Sequence, residues 1–433
     1  MTADRPGRCR EARRGPGRRL AGAAGAAAIS LGLIGCGNAH PGEPVLAAPA
    51  GSAHLLATSQ GVIWSSRRVN GAEGLLRSTN RGGVWKIVQP GRSPGSSLVA
   101  SFFFGGGTAW AVQRLPDAGG QGDGTIVLRT TNGGRTWARG AALPGEITGP
   151  GFAPSYQVYF ADLLHGWVLA AGSAPGDPSA SPLPDEKQRM QLWSTSNGGR
   201  TWHRLPGQGL PLQGLALTFV GQGGCLDQPT ITFVNPIDGW ISQGSCGHGS
   251  DPPRVWRTGD GGRTWTASPL RTPAGGWGPW AGTLRSTPKG AVVATPGIDV
   301  GQVRPARSGI DAIVLVPVSV GRSGLVIERS TDGGRTWQIA GRVQLGGRHR
   351  DEAPGWWFDP IDAMHWVISA PGSLIETADG GQQWTYTGSA MNLPAAPISF
   401  INLSHGFMQG TGRYVAFHTA DHGQTWTGQP VPQ

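Results

Sequence analysis

The stretch Ser330–Trp337 reads Ser-Thr-Asp-Gly-Gly-Arg-Thr-Trp, and it decides the fold because it recurs along this 433-residue chain. We call each copy a box. The other copies are Ser78–Trp85, Thr130–Trp137, Thr195–Trp202, Thr258–Trp265, Thr377–Trp384 and Thr419–Trp426. Successive box tryptophans are 52, 65, 63, 72, 47 and 42 residues apart. Such regular return of one phrase indicates a repeat protein.

The chemistry of the box predicts a hairpin turn in every repeat. An Asp or Asn before Gly folds its side chain onto nearby backbone N–H groups, and glycine supplies the positive φ of a tight turn. The repeat length suits one four-stranded blade with its loops. We therefore predict an all-β chain: a single seven-bladed β-propeller of four-stranded antiparallel blades over residues 52–433.

The acidic position of the box has two interpretations, one chemical and one structural. An Asp there could be a calcium ligand or a catalytic carboxylate. Three boxes carry Asn instead, which makes the turn but transfers no proton and binds cations more weakly. We therefore predict no catalytic residue, no metal and no cofactor at these positions. The structural box residues are Asn80, Asn132, Asn197, Asp260, Asp332, Asp379 and Asp421.

The N-terminus is typical of an export leader. Residues 1–35 hold seven arginines followed by a mildly apolar stretch too short for a stable membrane span. Leu33-Ile34-Gly35-Cys36 resembles the lipobox of bacterial lipoproteins, which makes Cys36 the expected lipidated residue; an ordinary secretory leader is the alternative. Residues 36–51 then read as the lipidated cysteine and a flexible tether.

Removing the leader changes the interpretation of the charge. The chain has 36 basic and 26 acidic side chains, and the leader holds seven and two of them. The remaining 29 and 24 leave a net charge of +5 rather than +10. The basic pI is therefore weak support for nucleic-acid binding, for which we find no recognition motif.

Two further cysteines are placed to form a disulfide. Strands Pro229–Val234 and Trp240–Cys246 are expected to pair around the turn Asn235–Asp238, with facing residue numbers summing to about 473. That register puts Cys225 within two positions of Cys246. In an oxidising compartment we predict a Cys225–Cys246 disulfide, with free thiols or a metal pair as alternatives.

Antiparallel order sorts the predicted loops onto two faces. The turns between first and second strands lie with the boxes on one face, which we call the box face. Its arginines are expected to be solvated, or to contact acidic lipid or protein. The hairpins that carry those turns are Phe104–Trp110, Phe160–Trp167, Phe233–Trp240, Phe358–Trp366 and Phe400–Phe407.

The opposite face carries the variation in loop length, and binding sites usually lie in variable loops. Expected insertions there are Gly172–Lys187, Leu205–Gln228, Leu270–Gly282, Pro296–Ser308 and Gly341–Gly355. Blade five is ambiguous, because Ile310–Val320 is either its second strand or an extra strand.

An aromatic and arginine cluster beside blade five is the predicted binding patch for a partner protein or a sugar. Covering the rim of the core is the alternative role for its tryptophans. The patch consists of Trp277, Trp280, Arg304, Arg307, Arg348, Arg350, Trp356 and Trp357.

The box phrase resembles the Asp-box (BNR) repeat of sialidases and related propellers, over about residues 52–433. Two copies depart from Gly-Gly, at Asn80-Arg81-Gly82 and Asp421-His422-Gly423. The hairpins Phe160–Trp167 and Phe233–Trp240 make the chain most similar to the photosystem II stability/assembly factor family. That resemblance implies a non-enzymatic scaffold, exported and held on the outer face of the cytoplasmic membrane, that assists assembly of a membrane complex.

The alternative function is a sialidase-like glycoside hydrolase or a carbohydrate-binding propeller. The sialidase family requires an Arg-Ile-Pro motif, an arginine triad and a Tyr–Glu nucleophile pair. The chain has no Arg-Ile-Pro, and no Glu stands at a motif-like position beside its four tyrosines. A carboxylate pair such as Asp351 or Glu352 facing Asp311 is left open. We expect a protein-binding scaffold rather than an enzyme.

Overall fold

The computed structural model describes seventeen segments of the chain, which all belong to the compact unit Glu43–Gln433. The described residues are 54–69, 72–91, 94–116, 124–146, 154–173, 188–210, 230–243, 254–268, 285–286, 292–293, 302–305, 312–318, 324–344, 357–370, 373–388, 396–410 and 414–430. Within them all regular structure is β, and there is no helix long and apolar enough to cross a membrane.

The described strands form four-stranded antiparallel sheets in chain order, which we number sheet one to sheet seven. Sheets one to four are β1 His54–Ala57, β2 Ile63–Val69, β3 Ala72–Ser78, β4 Trp85–Ile87; β5 Ser97–Phe104, β6 Thr108–Arg114, β7 Thr125–Thr130, β8 Ala138–Ala142; β9 Ser155–Phe160, β10 Gly166–Ser173, β11 Gln188–Thr195, β12 His203–Leu205; and β13 Thr230–Phe233, β14 Gly239–Gln243, β15 Arg254–Thr258, β16 Thr266–Ser268.

A two-stranded hairpin, β17 Arg285–Ser286 with β18 Val292–Val293, follows sheet four. Sheets five to seven are β19 Gln302–Pro305, β20 Ala312–Val318, β21 Gly324–Ser330, β22 Gln338–Gln344; β23 Trp357–Pro360, β24 Trp366–Ala370, β25 Ser373–Thr377, β26 Thr385–Gly388; and β27 Ile398–Phe400, β28 Gly406–Gln409, β29 Tyr414–Thr419, β30 Thr427–Pro430.

The sheets pack as the blades of a β-propeller. Neighbouring sheets touch mainly through their first strands, so that the first strands lie innermost and the fourth strands outermost. In sheet five the side chains of β19 and β20 lie outside the described residues. The described side chains therefore establish six packed blades rather than the predicted seven, and sheet five is a further four-stranded sheet placed by its backbone pairing.

The ring closes between sheets seven and one by packing, since the two sheets share no strand. The Ala57 N–H donates to Ser399 Oγ at 3.0 Å, and Gln409 Nε2 donates to the Ser66 carbonyl at 2.8 Å. Both bonds satisfy backbone groups at the inner edge of a sheet, where an unpaired group would be costly.

Stacked aromatic rings fill the spaces between blades. The Trp110 indole of sheet two is fully buried and stacks on Phe160 of sheet three, with ring centroids 3.6 Å apart. Its Nε1 donates to the carbonyl of Gly198 at 2.9 Å, in the box of sheet three. Trp167 repeats the arrangement on Phe233 and Gly261 of sheet four. Each such tryptophan therefore joins a blade to its neighbour by packing and by one hydrogen bond.

The five predicted hairpins are confirmed, and some predicted boundaries are corrected. Ile231 faces Ile241, so that facing residue numbers sum to 472, one less than expected. Residues 312–318 form the second strand of sheet five rather than an extra strand. The predicted insertion Pro296–Ser308 contains β19, and Gly341–Gly355 begins inside β22, because strand pairing extends beyond the apolar runs visible in the sequence.

Replacing Trp110 by Ala should destabilise the ring. The change removes a buried indole and leaves the Gly198 carbonyl without its partner, so we expect a loss of about 3–5 kcal/mol in the free energy of unfolding. Urea denaturation of the full chain measures it. Val84→Ala is the matched control, because Val84 is 59% exposed. Equal midpoints for the two variants would contradict this role of Trp110.

Candidate interaction surface

The box turn is held by hydrogen bonds from its own side chains. In sheet five, Ser330 Oγ accepts from the Gly334 N–H at 2.7 Å and donates to Asp332 Oδ1 at 2.8 Å. Asp332 Oδ1 also accepts from the N–H groups of Arg335 and Thr336, each at 2.9 Å. Gly333 and Gly334 have φ of 72° and 78°, which glycine adopts without a Cβ penalty. The predicted turn is therefore present.

Asn and Asp make the same turn, but the δ2 atom of the side chain accepts a hydrogen bond in Asp and donates one in Asn. Asp332 Oδ2 accepts from the Thr336 hydroxyl at 2.7 Å, whereas Asn132 Nδ2 donates to the Thr136 hydroxyl at 2.8 Å. Asn132 Oδ1 still accepts from the Thr136 N–H at 3.0 Å. The exchange therefore changes the charge of the face and leaves the turn intact.

Hydrogen bonds to the carboxylate keep the box Asp residues ionised. The Thr336 N–H, with smaller contributions from the Thr336 and Ser330 hydroxyls, lowers the pKa of Asp332 to about 2. The Thr425 hydroxyl and N–H lower the pKa of Asp421 to about 2 in the same way. A carboxylate with so low a pKa is a poor proton donor near neutral pH, which favours the structural interpretation.

The turns between first and second strands present apolar side chains beside the boxes. Asp162 Oδ1 accepts from the N–H groups of Leu164 and His165, each at 2.7 Å, which fixes the turn with its tip outward. Five of the seven large apolar side chains that are exposed among the described residues lie on the box face. They are Val84, Leu163, Leu164, Ile237 and Met364.

Arginines that precede the boxes reach across to the next sheet. Arg77 Nε and Nη2 donate to the Gly106 carbonyl of sheet two at 2.9 and 2.6 Å, and the guanidinium lies over the Trp64 ring at 5.3 Å. Arg129 lies over Trp110, its cross-strand neighbour in sheet two, at 5.2 Å, and its Nη1 lies beside Gly198 of sheet three. The contacts with Gly106 and Gly198 were not predicted, because only the folded ring brings these arginines to the next sheet.

The interblade arginines lie close to the exposed box arginines. Burial and then the charge of Arg135 lower the pKa of Arg77, and burial and then the charge of Arg200 lower the pKa of Arg129. The box arginines themselves are exposed. The box face of sheets one to three therefore carries adjoining guanidinium groups with exposed Leu163 and Leu164 at its edge, and we call it the basic sector.

The predicted patch beside blade five lies almost wholly outside the described residues. Arg304 is placed in β19, opposite Ile313, and Trp357 is placed in β23. The Trp357 side chain is half-buried against the apolar cluster of sheets six and seven. The remaining patch residues lie outside the described residues, as do Cys36, Cys225 and Cys246: Trp277, Trp280, Arg307, Arg348, Arg350 and Trp356.

A tyrosine–glutamate pair that sequence reasoning missed lies between sheets two and three. The Tyr156 hydroxyl donates to Glu146 Oε1, and the Thr125 hydroxyl donates to the same atom at 2.8 Å. Burial and then the hydrogen bond with Glu146 raise the pKa of Tyr156 well above its usual range. Tyr156 is only 3% exposed, so the pair is closed to a substrate and links two sheets. No motif marks it, because Glu146 and Tyr156 are ten residues apart along the chain.

The described residues also form a cavity, but they do not form a metal-binding cluster. A cavity of about 350 Å³ lies beside β11 and β12 and is lined by Met190, Gln191, Leu192, Arg204 and Leu205, among others. Among the described residues, no group of three or more His, Cys, Asp or Glu side chains is arranged to hold a metal ion.

Comparison with known proteins found similar solved structures at low identity. No family model and no curated protein matches the chain. YCF48 bound to D1 peptide is 13% identical, with a TM-score of 0.41 over 76% of this chain and 81% of that chain. YCF48 from Cyanidioschyzon merolae is 15% identical, with a TM-score of 0.41 over 88% and 94%.

A glycoside hydrolase, the GH74 enzyme of Niastella koreensis, is 16% identical, with a TM-score of 0.31 over 86% of this chain and 56% of that chain. At these identities and TM-scores, none of the similarities indicates what this chain binds or whether it is an enzyme.

Asp332→Asn tests the charge of the box turn. Because the native pKa lies below the unfolded value, ionised Asp332 stabilises the fold above the unfolded pKa, and this contribution is lost as the pH falls toward about 2. We expect the variant to melt at a lower temperature than the wild type at pH 7, with a difference that disappears near pH 2. Melting curves across that range measure it, and a difference independent of pH would contradict the assignment.

Proposed function

We propose that this chain is an exported, lipid-anchored β-propeller that acts without catalysis as a scaffold for a partner protein. The observation that carries the proposal is the basic sector, where exposed arginines lie beside exposed apolar turn tips. Arginine is enriched at protein interfaces, and apolar side chains make up their buried centre. The partner surface that fits is one with apolar side chains and carboxylates.

Rigidity supports the choice of this face. The box side chains satisfy the backbone of their own turns, Arg77 braces sheet one against sheet two, and Arg129 lies beside Gly198 of sheet three. Side chains held in place before binding lose little conformational freedom when a partner docks. A scaffold of this kind requires no reacting group.

The first described strand enters its sheet from the side opposite the box turns. Strand β1 runs from His54 toward the turn at Thr58–Val62, which belongs to the box face. The chain therefore enters sheet one from the opposite face. With residues 1–35 removed and Cys36 lipidated, the protein would be held on the outer face of the cytoplasmic membrane with its box face free. The family resemblance of the hairpins favours a membrane complex as the partner.

The proposal includes the number of blades in the ring and a second contact on the opposite face. We take all seven sheets as blades of one ring, because each ends its third strand in a box and each neighbours the next in chain order. The patch of Trp277, Arg348 and their neighbours would then be a second contact on the opposite face. A Cys225–Cys246 bridge would close the loop before it.

The hydrolase alternative gains little from the described residues. Tyr156 and Glu146 are the residue types that a sialidase-like hydrolase requires, but burial of Tyr156 keeps a sugar from reaching the pair. Its other candidates, Asp311, Asp351 and Glu352, lie outside the described residues.

Site-specific photocross-linking tests the partner-binding face. A photoreactive residue at Leu164 of the full-length protein in its own membranes should yield one adduct, identified by mass spectrometry. The same residue at Tyr386, exposed on the outermost strand of sheet six, is the matched control and should yield none. Arg135→Gln with Arg200→Gln should remove most of the adduct, since Gln382 occupies the same box position in sheet six.

Two outcomes would contradict the box face as the binding surface. One is an adduct that persists at full yield in the Arg135/Arg200 variant. The other is loss of the adduct in Trp277→Ala with Arg348→Ala while the Arg135/Arg200 variant is unaffected, which would move the site to the opposite face.

Cys36→Ala tests the anchor separately. Without the acceptor thiol no lipid is attached, and we expect the protein to move from the membrane fraction to the soluble exported fraction. Fractionation with labelled fatty acid measures both effects. Unchanged membrane association and no labelled lipid on the wild type would show that the leader is an ordinary secretory one.

A further inference from the structure

Charge is segregated around the box face. The basic sector carries five arginines and one carboxylate on its described turns and third-strand ends: Arg77, Arg81, Arg129, Arg135, Arg200 and Asp162. The described turns and third-strand ends of sheets six and seven carry four carboxylates and neither lysine nor arginine, and we call this the acidic sector. Its carboxylates are Asp362, Glu376, Asp379 and Asp421.

The two sectors adjoin at the seam where the ring closes. Gln429 Nε2 of sheet seven donates to the Arg81 carbonyl at 3.0 Å, which places the box of sheet one directly beside the outer strand of sheet seven. Sheet six follows on one side through β23 and β27, and sheet two follows on the other through β1 and β5. The order across the seam is therefore acidic, acidic, basic, basic.

We propose that the box face also binds a second copy of this chain, face to face, about a two-fold axis that runs through this seam. Such an axis exchanges the two sides of the seam, so that sheets one and two, the part of the basic sector beside the seam, meet the acidic sector of the other copy. Sheet one then faces sheet seven of the second copy, and sheet two faces sheet six. A surface with this order of charges is complementary to itself.

Exposed apolar side chains lie on both sides of the seam. Val84, in the box of sheet one, is 59% exposed, and Met364, in a turn of sheet six, is 42% exposed. A face-to-face pair would remove both from water, which adds an apolar contribution to the charge pairing. The Thr425 hydroxyl and N–H lower the pKa of Asp421 to about 2, so this carboxylate is ionised near neutral pH.

Lipid anchors do not prevent the arrangement. Cys36 and His54 are eighteen residues apart, and a chain of that length can span about 60 Å when extended. Two copies with their rings upright on one membrane can therefore meet through their box faces. The inference rests on the proposed function in using the same face, and it names self-association as a second use of it.

Sedimentation of the full chain in density-matched detergent tests the proposal. We expect a dimer at about 100 μM protein and about 50 mM salt, and a dissociation constant that rises roughly tenfold or more at about 500 mM salt, because exposed charges are screened. A wild type that is monomeric under the low-salt condition overturns the proposal.

Two charge variants make the test specific. The first is Arg81→Glu with Arg135→Glu, in the boxes of sheets one and two, which neutralises the basic sector. The second replaces four exposed residues of the acidic sector by Lys and neutralises it: Ala378, Gln382, Ala420 and Gln424. Each alone should be monomeric, and an equimolar mixture should form a mixed dimer, because the intact acidic sector of one meets the intact basic sector of the other.

Melting curves test whether each variant is folded. Association in the mixture independently excludes misfolding as the reason why each variant alone is monomeric. Wild-type dimerisation of both single variants, or no association in the mixture, overturns the arrangement.

Binding of the partner protein is tested separately. The lysine variant leaves the basic sector unchanged, so it should keep the Leu164 adduct with the partner while losing the dimer. A wild type that dimerises but forms no Leu164 adduct with a partner would contradict the proposed function alone.

Discussion

The hydrogen bond from a buried indole N–H to a glycine carbonyl in the neighbouring box is the interaction that holds sheets two, three and four together. Trp110 and Trp167 make it at 2.9 Å to Gly198 and Gly261. The carbonyl is in reach only because the box turn is rigid, with Thr195 Oγ1 accepting from the Gly199 N–H at 3.1 Å. If the turn shifted, a buried donor would lose its partner and two stacked rings would separate.

Local chemistry explains why the fold could be predicted and where prediction stopped. The Asp332 turn is built from bonds within seven residues, so its sequence is sufficient to predict it. The contact of Arg77 with Gly106 depends on the closed ring, and the Tyr156–Glu146 pair depends on a loop path, so neither has a sequence signature. The predicted patch around Trp277 lies almost wholly outside the described residues, and it remains a prediction.

The box separates the charge of the surface from the conformation of the turn. Asn132 and Asp332 hold the same backbone, one neutral and the other with a strongly lowered pKa. The sixth box position varies as freely, with Arg135 in sheet two and Gln382 in sheet six. A face whose backbone is fixed can therefore acquire basic and acidic regions without any change of fold, which is how the two sectors of this chain differ.

The seam between sheets seven and one is built like the other seams of the ring. Gln157 Oε1 accepts from the Ile231 N–H at 3.1 Å between sheets three and four, just as Ser399 Oγ accepts from the Ala57 N–H at closure. The covalent start of the chain thus has no special part in the architecture. A circular permutant, opened within residues 147–153 and joined from Pro430 to His54 by a linker, would contain every contact described for the ring. The position of the chain termini among the blades can therefore change while the packing of the blades around the ring stays the same.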